Sequence, residues 1–184
     1  MVSILPNSQL YNLTYKFNKS LCDTSTPRSP DNGTVYDVLK SDPKFSKTVE
    51  LINRSGLRHN YDKIMNTYGT EAGGLTLFVT DDSNIPDLFI NTADRFRSEV
   101  FLRSYTLNGI ADIKYIINNG TTVYKTRDGG NPILCTVKGC KKCDDSDTQV
   151  EISINRVGRI VKEVRTTNGL IIMMDNIANV GYVN

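Results

Sequence analysis

The stretch "NGLIIMMDNI", residues 168–177, constrains this chain most. Leu170, Ile171, Ile172, Met173 and Met174 follow one another with no polar break. Such a run is far below the roughly 18–20 residues of a membrane-spanning helix. It is also too apolar for a wetted surface. Asn168-Gly169 before it favours a tight turn, and Asp175-Asn176 after it stops the apolar pattern. A short apolar run between turn signals reads most simply as a strand buried on both faces. One face would then meet the neighbouring sheet and the other a layer of helices.

The rest of the chain supplies those layers. Asp42-Pro43 has the form of a helix cap followed by proline in the first turn. Val35, Val38 and Leu39 before it, and Phe45, Val49 and Ile52 after it, recur at helical spacing, and Gly56 is placed to stop the helix. Leu57, Tyr61, Ile64, Met65 and Tyr68 make a looser helical stripe. Leu75, Leu77 and Val79 alternate with Thr76, Phe78 and Thr80 as in a strand. Asp81, Asp82 and Ser83 read as turn or cap residues, with a short helix beginning near Pro86. Residues 95–105 read as a helix carrying Phe96, Val100, Phe101 and Tyr105 on one side. From Gly109 the pattern predicts strands and turns: one through Ile113, Tyr115 and Ile117, then Val123-Tyr124, residues 133–137, residues 150–154, and the region of Ile160, Val161 and Val164. Helices early and strands late predict an α+β fold with an antiparallel sheet.

The N-terminal segment differs from the rest. Tyr11, Leu13, Tyr15 and Phe17 alternate with polar residues, the pattern of a strand with one buried face. "CDTSTPRSPDNG" follows, a linker that continues neither helix nor strand. The expected division is an extended arm over 1–33 and one domain over 34–184. A strand outside the domain core must find a partner, and adding to another protein's sheet edge is one way to do so.

Several functions find no support in these residues. The chain has 184 residues and a net charge of +2, with its Lys and Arg scattered. A nucleic-acid groove needs a concentrated basic face, so no nucleic-acid partner is expected. No membrane span is expected either. The N-terminus lacks a basic leader, an apolar core and a small-residue cleavage site. The expected setting is therefore the cytoplasm or a virion, with the extracellular surface as the alternative if a leader was removed upstream.

Residues for catalysis are equally sparse. With His59 the single histidine, a nucleophile–histidine relay has one conceivable centre, and "LRHNYDK" offers no nucleophile. Gly73-Gly74 and Gly129-Gly130 lack phosphate-loop spacing. Asp81-Asp82 reads as a helix cap before it reads as a carboxylate pair. The "DDSD" at 144–147 lacks the further acidic ligand of a regular calcium loop. No enzyme activity, catalytic residue, cofactor or metal is expected. Cys135, Cys140 and Cys143 lie close in sequence, and Cys22 would have to travel to complete a tetrahedral set. A metal, a disulfide and free thiols stay open for them; Lys141 and Lys142 would favour the thiolate of a neighbour. Asn-X-Ser/Thr acceptors occur at Asn12, Asn18, Asn32, Asn53 and Asn119, and matter only in a secretory pathway.

Four segments in order resemble a known family. "TVYDVLKSDPKFSKTVELINRSGL" is similar to the opening of a fasciclin (FAS1) domain. "LTLFVTDDSNI" resembles its first signature, usually Thr-Leu-Phe-Ala-Pro-Thr-Asp. "FLRSYTLNG" stands where the family carries a Tyr-His pair, and "NGLIIMMDNI" resembles its last signature, Asn-Gly-x-Ile-His-x-Ile-Asp. The resemblance covers residues 34–184. Thr106 and Ile172 stand where relatives carry histidines, so no role of those histidines transfers. The resemblance implies a wedge of two antiparallel β-sheets with flanking helices, and work in adhesion or protein–protein contact rather than catalysis. With the arm, it leads to the expectation of a structural module gripped by other proteins through the arm, edge strands and the cysteine hairpin. The favoured example is a minor capsid-associated protein of a large DNA virus; the alternative is a secreted or cell-surface adhesion domain.

Overall fold

The computed structural model describes residues 33–62, 74–111, 113–126, 133–139, 150–155 and 158–176. Its helices are α1 (Val35–Ser41), α2 (Ser46–Ser55), α3 (Arg58–Asp62), α4 (Asp87–Thr92), α5 (Arg95–Ser104) and α6 (Ile113–Asn119). Its strands are β1 (Leu75–Thr80), β2 (Thr106–Asn108), β3 (Thr122–Tyr124), β4 (Ile133–Gly139), β5 (Val150–Ile154), β6 (Gly158–Arg165) and β7 (Gly169–Met174).

Local chemistry sets the first helices. Thr34 caps α1 by a reciprocal box, its hydroxyl accepting from Asp37 N and the Asp37 carboxylate accepting from Thr34 N. Asp42 caps a 3-10 turn over Pro43–Phe45, which runs into α2. Gly56, at φ 77°, closes α2 in the left-handed conformation that glycine adopts without steric cost. The buried face of α2 carries Thr48, Leu51, Ile52 and Ser55, and this helix packs against α5.

The seven strands form one sheet in the order β2-β1-β7-β6-β5-β4-β3. The fold is thus α+β, as expected, and the expected antiparallel pairing is corrected at one place. The strands are successive neighbours, and the interior β1–β7 pair is parallel, Leu75 opposite Gly169 through Thr80 opposite Met174. The other neighbours are antiparallel. Close turns force antiparallel pairing between strands such as β6 and β7. No such turn joins β1 to β7, and side-chain alternation carries no record of strand direction. Strand β6 links the halves: Gly158 and Arg159 pair with β5, and Ile160–Arg165 pair with β7 across an irregularity between Ile160 and Lys162.

The opening stretch is a strand at the heart of this sheet. Leu170, Ile171, Ile172 and Met174 are buried, and Met173 is half-buried. Burying each such side chain contributes about 1.5–3 kcal/mol. All six residues of β1 are buried as well, so its alternation of Leu and Val with Thr does not mark a wet face. Its threonines are satisfied internally. Thr76 Oγ1 donates to Gly109 O at 2.8 Å and accepts from Ala111 N at 2.9 Å. Thr80 Oγ1 accepts from Asn84 Nδ2 at 2.8 Å.

Two local expectations are corrected. Residues 113–119 are helix α6, not a strand: Ile113, Ile116 and Ile117 are buried while Tyr115 is 53% exposed. A window this short satisfies period 2 and period 3.6 together, and only the packing arbitrates. Phe96 in α5 is 70% exposed rather than inward. The buried stripe is Ser98, Phe101 and Leu102, continued by Tyr105, with the Phe101 ring 5.2 Å from that of Tyr105 and 5.3 Å from that of Phe89. Ile64, Met65 and Tyr68 lie outside the described residues.

Candidate functional site

A long-range polar junction surrounds the Asn168-Gly169 pair. Asn168 is buried. Its Oδ1 accepts from Val35 N at 2.9 Å, at the start of α1, and from Thr166 Oγ1 at 3.2 Å. Its Nδ2 donates to Tyr61 O of α3 at 2.9 Å. Its carbonyl accepts from Leu75 N at the start of β1. One asparagine therefore ties two helices to the two central strands. Gly169 is required by close approach: a Cβ there would stand 2.3 Å from Leu75 O. The pair was legible as a turn; the reach of its side chain across the fold was not.

At the other end of β7, Asp175 closes onto β6. Its Oδ1 accepts from Arg159 N at 2.7 Å, and its Oδ2 accepts from Arg159 Nε at 2.9 Å. The Asp175 carbonyl accepts from Asn84 Nδ2 at 3.1 Å, joining this strand end to the turn after β1.

The Asp81-Asp82 pair is built into helix ends. Asp81 caps the turn over Asp82–Asn84, accepting from Ser83 N at 3.0 Å. Asp82 reaches α2, accepting from Lys47 N at 2.9 Å and from the Ser46 hydroxyl. Lys47 Nζ, which the sequence did not single out, donates to Ile85 O at 2.6 Å and to Asp82 O at 3.1 Å. It also pairs with Asp87 at 2.7 Å, which holds the Asp87 carboxyl below its ordinary range, through the hydrogen bond first and the charge second. These carboxylates fasten the β1–α4 turn to α2.

Cys135 lies on β4 opposite Thr122 and Ile154. It is a free thiol, fully buried, and burial pushes its pKa up to about 12. That is the reverse of the activation a reactive thiolate needs. Cys22, Cys140 and Cys143 lie outside the described residues, as do Asp144–Asp147 and the arm residues Tyr11, Leu13, Tyr15 and Phe17. His59 is exposed on the five-residue α3. Among the described residues no group of three or more His, Cys, Asp or Glu is placed to hold a metal ion, and no helix is long and apolar enough to cross a membrane.

The two positions where the resemblance would have placed histidines are interior. Thr106 is fully buried; its hydroxyl is 2.9 Å from the Tyr61 hydroxyl and 2.6 Å from Leu102 O, to which it donates. Ile172 is fully buried among the core apolar residues. The exposed large apolar side chains are Leu88, Phe96, Tyr115 and Val123, among the described residues.

A helix layer packs on a mixed sheet, with Asn168 tying the two, and this arrangement is similar to that of a solved protein. The particular likeness is to a solved FAS1 domain pair from the insect cell adhesion molecule fasciclin I, at a TM-score of 0.59 and 18% identity. The match covers 81% of this chain and 51% of that one, so the chain spans about half the length of that domain pair. At this identity the likeness establishes the fold. No protein-family model matches the chain, and no curated protein matches it.

Proposed function

We propose that this chain is a non-enzymatic protein–protein interaction module, a FAS1-like domain over residues 34–184 preceded by an arm over 1–33. The observation that carries the reading is the fold likeness to a cell adhesion molecule. The fate of the chemically capable side chains supports it. Asp81 and Asp82 cap helical turns, and Cys135 is sealed in the core. Of the two settings the sequence leaves open, the fold likeness bears on the adhesion setting; nothing in the fold speaks for the capsid-associated one.

Contacts are proposed at the arm and the sheet edges. Strand β3 pairs with Ile133–Cys135 of β4, so β4 runs on past it through residues 136–139. Among the described residues β3 does not cover residues 136–139, and an added strand is proposed to pair there. The alternation of Tyr11, Leu13, Tyr15 and Phe17 suits such a strand, in a second copy or in another protein. The test is deletion of residues 1–30. The truncated chain should fold, as judged by a cooperative thermal transition, and should lose assembly with its native partners by sedimentation. A truncated chain that still assembles fully would refute a role for the arm, and one that cannot fold would place the arm in the domain's own core.

A further inference from the structure

Two Asn-X-Ser/Thr acceptors fall among the described residues, at Asn53 and Asn119. Their surroundings differ in the respect that decides modification. The transfer joins Asn Nδ2 to C1 of a lipid-diphosphate-linked oligosaccharide. The bond from C1 to phosphate breaks, the lipid diphosphate leaves, and the amide nitrogen gives up a proton. The acceptor asparagine and the hydroxyl two residues on must be presented together, which is why occupied sites sit in surface loops.

Asn53 cannot present them without unwinding a packed helix. It lies inside α2, and its Oδ1 accepts from Tyr36 Oη at 2.9 Å. Its partner hydroxyl, on Ser55, is 1% exposed, donates to Ile52 O at 2.8 Å and accepts from Leu57 N at 3.1 Å. Asn119 is placed differently. It is the last residue of α6, where helices fray. It is exposed, and its Nδ2 makes one exposed hydrogen bond, to Tyr115 O at 2.8 Å, which water replaces at little cost. Thr121 is exposed too. Gly120 between them has φ 80°, and a Cβ there would meet nothing within 4 Å. Gly120 itself is buried, but Asn119 and Thr121 on either side of it are both exposed, just before edge strand β3.

We infer that Asn119 is an N-glycosylation site of this chain and that Asn53 is passed over. The inference rests on the cell-surface form of the proposed function, because the transfer occurs in a secretory compartment. The site itself can be tested apart from that setting. The full chain, given a secretion leader and expressed in eukaryotic cells, would be digested with and without enzymatic glycan release in heavy-oxygen water; a mark that depends on the release identifies a formerly occupied asparagine, as distinct from spontaneous Asn-Gly deamidation. The expected result is a marked Asn119 peptide and an unmarked Asn53 peptide, with the Asn119 mark lost in both Asn119→Gln and Thr121→Ala. A secreted chain with Asn119 unmarked, or with Asn53 marked as fully as Asn119, would overturn the assignment. Intact mass of the protein from its native source tests the setting separately.

Discussion

Replacing Asn168 by alanine should be among the most damaging single substitutions outside the apolar core. The side chain's partners include Val35 N–H, Tyr61 C=O and the Thr166 hydroxyl. Thr166 keeps a second acceptor, Gly169 O at 2.9 Å, so its loss is small. Val35 N is at the buried start of α1, and Tyr61 is 1% exposed. Losing a hydrogen bond to a buried backbone group costs about 1–3 kcal/mol where nothing replaces it. A water entering the vacated space would recover part of this. The expected loss is about 3 kcal/mol, a large share of the roughly 5–15 kcal/mol that holds an ordinary domain folded. Urea unfolding followed by circular dichroism should show a lower midpoint at unchanged slope. Asn168→Asp provides a sharper check. It keeps Oδ1 but turns a carboxylate oxygen towards Tyr61 O, which favours the protonated acid in the folded state. Its folded pKa then lies above the unfolded value, so its deficit should shrink as pH falls through that raised pKa, when the acid can donate to Tyr61 O. A loss below about 1 kcal/mol for Asn168→Ala, at the level of an ordinary surface change, would refute the account of Asn168 as the junction of helices and sheet.

Gly169→Ala should cost about 1–3 kcal/mol by overpacking, because the new Cβ meets the Leu75 carbonyl oxygen; thermal unfolding measures it. Asp82→Ala should remove the cap on α2 and cost about 1 kcal/mol, with amide exchange rising at the start of that helix. Alkaline stability should fall between pH 9 and about 12. Burial raises Cys135 from its ordinary 9.0 to about 12 and Tyr105 from 10.0 to about 12. In both, folding favours the neutral form, so the stabilisation is whole below the unfolded pKa and is lost as pH rises to the folded one. Cys135 alone accounts for up to about 1.4 kcal/mol per pH unit in that window. Urea midpoints at stepped pH should show a shallower decline in Cys135→Ala.

The sequence by itself determined the elements whose signals are local. Asp42-Pro43 and Gly56 bound the early helical region because caps, proline and left-handed glycine act on their own backbone. The Leu170–Met174 strand was legible because five adjacent apolar side chains leave no face for water. Tertiary structure decided the rest. It made β1 parallel to β7, a choice between segments that no shared turn constrains. It turned Ile113–Asn119 into a helix, where two periodicities fitted equally. It left Phe96 in solvent and drew Ser98 inward, since the stripe that packs is set by the neighbouring layer. It also gave Asn168 its reach, with partners at Val35 and Tyr61 brought near only by folding. Local rules specify where a segment bends and which way its own side chains alternate. Which distant segment completes its hydrogen bonds depends on three-dimensional proximity, which residue spacing does not record.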